Sequence, residues 1–251
     1  MLKPFVFLDY FNAPVQAGFG FGMHPHSGIA TLTWQPACDV RYQDTTGQSG
    51  VLRAGGLEWM NSGGGAWHQG QFDTDGHALG FQLWVSMPAV IEDGPAQGLY
   101  IPPEEVPAHV WDSGKLQVLL GQWHLDGQVL SSAIPSHQDM HYGVLTLSAG
   151  ATWVWHPPSQ HDVCWVFPFE GLCQVQDQTQ SQGLLVMGAG DRVSLRAGAQ
   201  GARILLGSAK QHPHALVTGP YSVHTNQHSL ASSMQRIEAM GKTLALPSAQ
   251  K

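Results

Sequence analysis

Charge is what this chain has least of. Asp, Glu, Lys and Arg make up only 12% of its 251 residues, about half of the roughly 25% usual in soluble proteins. The 11 Lys and Arg residues form no cluster and the formal net charge is −7, which excludes an electrostatic groove for nucleic acid. No apolar run approaches the ~20 residues of a membrane-spanning helix. The three cysteines, Cys38, Cys164 and Cys173, do not make a disulfide framework; they read as small buried hydrophobes. The opening stretch from Met1 to Asp9 turns acidic too soon for a secretory signal. The expectation is a cytoplasmic protein that meets neither nucleic acid nor membrane.

The chain has apolar residues and turns in plenty. Hydrophobic residues are 43%, enough for a sizeable core, and 30 glycines and 16 prolines mark a turn-rich chain. Short β-rich runs dominate. Ile29–Trp34 is one. Gly80–Met87 alternates, with Phe81, Leu83, Val85 and Met87 on one face. Leu116–Gly121, His141–Leu147, Thr152–Trp155, Cys164–Gly171 and Arg203–Gly207 continue the style. Strands recurring every ~8–12 residues indicate a barrel or sandwich. Two such sets predict two barrels, 1–120 and 121–251, with a loose boundary between them. One helix closes the chain: Leu230, Met234, Ile237 and Met240 share a stripe, Ser229 is the expected cap and Gly241 the expected end. The fold class read from this pattern is all-β with one short terminal helix.

The chemistry-bearing segment is Gly22-Met23-His24-Pro25-His26-Ser27-Gly28. Two histidines one residue apart face the same side of a strand, where their imidazoles can share one metal ion. His68, in Glu58-Trp59-Met60-Asn61-Ser62-Gly63-Gly64-Gly65-Ala66-Trp67-His68, is the third candidate ligand. The glycine run within it lacks the Lys-Ser/Thr of a phosphate loop and reads as a tight turn. Trp59 and Trp67 are candidates for core packing or for the wall of a flat aromatic pocket. His156 and His161 form a second, loosely spaced pair.

Several segments, in order, resemble the signatures of the pirins, two-domain members of the cupin superfamily. They are Pro4–Phe11, His24–Gly28, Leu57–His68, Gly80–Val85, and Gly219–Asn226 with the helix after it. The resemblance implies two β-barrels packed face to face, with a single metal, usually iron, in the N-terminal one. It implies a ligand set of three histidines and a glutamate two residues after the third. Here His24, His26 and His68 are present, but Gly70 stands where the glutamate would be, and Ala30 stands where an acid commonly follows the first motif. Glu58 and Asp73 are the nearest acids and the candidates to replace it as ligand or general base.

What the resemblance implies for function is an oxidoreductase similar to the quercetin 2,3-dioxygenases of some bacterial members. It would use one divalent metal, Fe(II) first among several transition metals, on a small aromatic substrate. Three neutral imidazoles suit iron, copper, zinc and nickel alike. The missing carboxylate keeps two other expectations open. One is a metal-binding protein with a protein partner and no turnover, in the manner of the family's mammalian transcription cofactor. The other is a degenerate cupin without metal.

Overall fold

The computed structural model describes residues 2–190 and 192–244. The chain divides into two compact units, one formed by 3–104 together with 212–244, the other by 105–211. Each is a two-sheet antiparallel β structure. The strands of the first are β1 (Phe5–Val15), β2 (Gly20–His26), β3 (Ile29–Trp34), β4 (Val40–Asp44), β5 (Ser49–Leu52), β6 (Leu57–Asn61), β7 (Ala66–Phe72), β8 (Gly76–Ser86) and β9 (Gln97–Ile101). They form sheets of order β1-β8-β3-β6-β9 and β2-β7-β4-β5.

Burial explains why these runs became strands. Ile29, Ala30, Leu32, Phe81, Leu83 and Val85 are fully buried, and β3 and β8 are paired neighbours in the middle of their sheet. A central strand covered on both sides reads as a near-continuous apolar run, and Ile29–Trp34 does so. The alternation expected over Gly80–Met87 holds: Phe81, Leu83, Val85 and Met87 all point inward.

The second unit contributes β10 (Ala108–Trp111), β11 (Gly114–Leu120), β12 (Gln122–Leu125), β13 (Gln128–Ser131), β14 (Met140–Leu147), β15 (Thr152–Trp155) and β16 (Val163–Glu170). It continues with β17 (Cys173–Val175), β18 (Gln178–Gln180), β19 (Leu185–Met187), β20 (Val193–Ala197) and β21 (Ala202–Ala209). Its sheets run β10-β11-β14-β21-β16-β19 and β15-β20-β17-β18, with β12-β13 as a separate hairpin. Leu116, Val118, Trp123, Leu145, Trp155, Val166, Leu195 and Ile204 belong to its core cluster. Cys164 and Cys173 are part of that cluster, Cys38 is buried in the first unit, and all three are free thiols, as the sequence indicates.

The last segment corrects the sequence-based division. The chain crosses into the second unit near 105 rather than 120, and residues from 212 return to the first. There they form the hairpin β22 (Val217–Gly219) and β23 (Ser222–His224), followed by α1 (Gln227–Thr243). The helix therefore belongs to the first unit. Its periodicity defined an apolar face, but nothing in that face says which barrel it covers. The attachment is specific: Trp67 Nε1 donates to Ile237 O at 3.0 Å, and Ser229 Oγ donates to Asp93 at 2.6 Å. Asn226, not Ser229, caps the helix, its side chain accepting from Ser229 N at 2.9 Å. Gly241 lies inside the helix rather than at its end. A Cβ there would come within 2.6 Å of the Trp67 ring, so its value is close packing. Likewise the loop Gly63-Gly64-Gly65 lies under α1: added Cβ atoms at 64 and 65 would strike Arg236 and Ile237. Among the described residues no helix is long and apolar enough to cross a membrane.

Candidate metal centre

Strands β2 and β7 pair antiparallel, and their register sets His24 opposite His68 and His26 opposite Ala66. His24 and His26 are two residues apart and share a face. Cross-strand pairing brings His68 onto that same face. The three ring centroids lie 4.5–5.1 Å from one another, and one ligand atom from each falls within 4.8 Å of the others. Among the described residues this is the one such group of three.

Each imidazole is held by its Nδ1. His24 Nδ1 lies 2.7 Å from Gly22 O and His26 Nδ1 lies 3.0 Å from Tyr221 O. His68 Nδ1 lies 2.6 Å from Glu58 Oε1. Carbonyl and carboxylate oxygens only accept, so each Nδ1 donates and each Nε2 is left as the ring's other nitrogen. The Nε2 atoms of His26 and His68 are buried with no hydrogen-bond partner. Burial, then the neighbouring His68 and His24, pushes the His26 pKa down to about 3, and burial first lowers that of His24 as well. Unpartnered buried Nε2 atoms on His26 and His68, beside His24 and His26 rings whose charged forms burial disfavours, suit a transition metal. The residues present fit a metal ion.

The acids separate cleanly. Glu58, on β6, supports His68 from behind with a side chain only 13% exposed. A carboxylate behind a ligating histidine fixes its orientation and raises its basicity. Asp73 is not part of the site: it pairs with Arg41 and does not line the cavity. Gly70 shares the inward face of β7 with His68 and Phe72, so the position is aimed at the centre and bears no side chain. Gln69 and Gln71 point to the opposite face, where Gln69 meets Gln43.

A second layer lies behind Glu58. Tyr100 faces it across the β6-β9 pair and donates to Asp44 Oδ2 at 2.9 Å. Burial first, then Glu58 and Asp44, drives the Tyr100 hydroxyl pKa upward, so it stays protonated as a donor. Asp44 also accepts from Thr46 N and Thr46 Oγ1, both at 2.7 Å.

The cavity beside the histidines is lined by Phe11, Phe21 and Phe72 together with Glu58 and Gly70. None of these phenylalanines stood out in the sequence. Phe72 carried the one usable signal, since it lies four residues from His68 and so on the same strand face. Trp59 is core, and Trp67 is tied to the helix. Tyr221 was also missed: it lies 195 residues from His26 and meets it only through folding. The pair His156 and His161 forms no second centre. His161 is fully occupied by Ser208 Oγ at 2.8 Å and Asp139 Oδ1 at 2.9 Å, and His156 is exposed.

Comparison with known proteins agrees with this fold. Residues 1–85 match the family model described as Pirin. A relative from Pseudomonas aeruginosa, named "Putative quercetin 2,3-dioxygenase PA3240", is 32% identical over 89% of this chain and 81% of its own. A "Pirin-like protein" from Caulobacter vibrioides is 27% identical over 90% of this chain and 83% of its own. In fold, the chain is similar to a quercetin 2,3-dioxygenase from Acinetobacter baumannii, with TM-score 0.85 and 22% identity over 98% of this chain and 88% of that one. It is also similar to the bacterial pirin YhhW from Escherichia coli, solved in complex with nickel(II). There the TM-score is 0.62, with 20% identity over 81% of this chain and 82% of that one.

Proposed function

Since the chain belongs to the pirin family, we propose that it is a metal-dependent dioxygenase of a small, flavonol-like aromatic substrate, acting in the cytoplasm. The observation that carries this reading is the convergence of three Nε2 atoms beside an aromatic-walled cavity that also holds a carboxylate. His24, His26 and His68 would hold one Fe(II) ion. When bound, such an ion supplies a Lewis-acidic centre with open positions for oxygen and for a substrate oxygen.

The rest falls to the chain's own residues. Glu58 holds His68 through Oε1 and lines the cavity, which leaves Oε2 as the proton acceptor for a substrate hydroxyl. A positioned base of this kind contributes roughly 10²–10⁴-fold. Tyr100 and Asp44 stand behind Glu58 and keep its surroundings polar. Phe11 and Phe72 offer apolar faces to an aromatic ring. The cavity volume is about 40 Å³, room for one or two waters. A flavonol-sized substrate needs more room than this, so its entry requires the wall, which includes Phe21, to rearrange.

That small volume also favours a second reading, a metal-binding protein that meets a protein partner without turnover. One experiment separates them. Tag-free protein and His26→Ala are compared for bound metal by plasma mass spectrometry, then for oxygen uptake with a flavonol panel. About one equivalent of metal, lost in the variant, with flavonol-dependent uptake supports the enzyme. Bound metal without uptake selects the second reading. A protein that stays empty after anaerobic loading with Fe(II) rejects both.

A further inference from the structure

The two residues after His26 fasten its strand to the C-terminal hairpin. Ser27 Oγ lies 2.8 Å from Ser222 Oγ and 3.0 Å from His224 Nε2. The main chains join as well: Ser27 and Ser222 form a parallel bridge, and Val223 N donates to Ser27 O at 3.2 Å. Gly28 permits this approach. Its φ is +73°, and a Cβ there would fall 2.1 Å from Val223 O and 2.8 Å from the His224 ring.

The other side of His224 faces acids. Its Nδ1 lies 3.5 Å from Asp93 Oδ1 and 3.9 Å from Glu92 Oε1. The same two acids hold the segment that follows. Thr225 N and Oγ1 donate to Glu92 at 2.8 and 2.7 Å, and the hydroxyls of Ser229 and Ser233 donate to Asp93 at 2.6 and 3.2 Å. Ser27, His224 and Asp93 have the connectivity of a hydrolytic triad, but Ser27 and His224 are fully buried. No substrate reaches that hydroxyl, so the cluster acts only on its neighbours.

The neighbour that matters is His26. It precedes Ser27 as Tyr221 precedes Ser222, and Tyr221 O lies 3.0 Å from His26 Nδ1. The clamp between the two serines therefore sets the carbonyl that orients the His26 ring. Partners of this kind behind a ligating histidine govern roughly 10–100-fold in metal affinity. We propose that Ser27 and His224 are positioning residues of the metal centre, coupling metal binding at His26 to docking of the C-terminal segment 221–236. The coupling rests on the three histidines holding a metal and on no particular reaction there. It is reciprocal: the docked segment tightens metal binding, and bound metal holds the segment down.

The test uses the full chain with Co(II) as probe, read by its visible absorption and by hydrogen exchange with mass spectrometry. In wild type, Co(II) should slow amide exchange at least tenfold across 221–236 and leave 105–211 unchanged. Ser27→Ala should bind Co(II) about tenfold more weakly, with altered absorption bands. Co(II) should then protect β2 and β7 but no longer 221–236. His224→Gln, which keeps a hydrogen-bonding group in place of Nε2, should recover affinity relative to His224→Ala. A purely structural role would lower the melting temperature of Ser27→Ala but leave its bands and its pattern of protection as in wild type; that result overturns the proposal. So does exchange at 221–236 that ignores bound Co(II) in wild type, a measurement that needs no variant to fold, and it leaves the metal centre standing. Wild type that binds no Co(II) removes the metal centre and the coupling together.

Discussion

Glu58 Oε1 lies 2.6 Å from Nδ1 of His68, while Gly70, two residues beyond that histidine on the same inward face, bears no side chain. The negative charge of the site is thus placed behind a ligand candidate. Partners of this kind typically govern 10–100-fold in metal affinity. Glu58→Gln keeps the shape and an accepting oxygen but removes the charge. Competition against a chelator should show metal affinity reduced by about that factor, with thermal stability nearly unchanged. Equal affinity in wild type and variant would mean that Glu58 only packs against His68.

Gly70→Glu restores an acid to the centre. An added Cβ at this position meets nothing closer than Val40 Cγ1 at 3.2 Å, which a small side-chain shift accommodates. Without metal, the new carboxylate shares a confined space with Glu58, and like charges destabilise. With metal, the two anions complement the ion. Thermal scans should therefore show the metal-free variant melting below wild type and the metal-loaded variant gaining more from metal than wild type does. A loss of stability that metal fails to restore would show that the position cannot seat a ligand.

Acid should weaken the second unit in a defined window. His141 has its folded pKa pushed down to about 4 from an ordinary 6.5. Between those values the unfolded chain binds more protons than the folded one, so stability falls as pH drops through the window and returns as pH rises. The contribution of this group is on the order of 3 kcal/mol. Urea unfolding at pH 7 and pH 4.5 should show a smaller loss in His141→Phe than in wild type. Identical losses would remove His141 from the account.

Tyr221 occupies a strained turn, with φ of +57°. Gly219 pairs with Ser222 across it, and Pro220 before it is locked at negative φ. The second central residue of such a turn favours glycine; a side chain there costs about 1–2 kcal/mol. The ring is 53% exposed, so burial offsets little, yet it stands 6.1 Å from the His26 ring and 6.3 Å from His24. Tyr221→Gly should match or exceed wild type in melting temperature, because relieved strain outweighs the added unfolded-state entropy. It should also release metal faster to a chelator, because the rim is opened. A lower melting temperature with unchanged metal release would contradict both parts.

The local content of this fold was legible before folding was considered. Ile29–Trp34 and Thr152–Trp155 coincide with strands β3 and β15, because strand formation follows an apolar pattern carried within a few residues. The face shared by His24 and His26 follows from the two-residue period alone. Other features depend on contacts that no local pattern encodes. Glu58 and Asp73 were equivalent as nearby acids. The β6 and β7 registers turned one onto His68, while the other pairs with Arg41. The terminal helix announced its apolar stripe, but only the fit of Gly241 and the Gly63–Gly65 loop against it shows that it covers the first unit. Tyr221, remote in sequence, reaches His26 through a hairpin that follows the second unit in chain order. Residue spacing alone determined which side chains are able to act together on one strand. Which strands meet, and so which acid, aromatic ring and carbonyl surround the three histidines, was decided by long-range packing, where burial and hydrogen-bond satisfaction are settled across the whole unit at once.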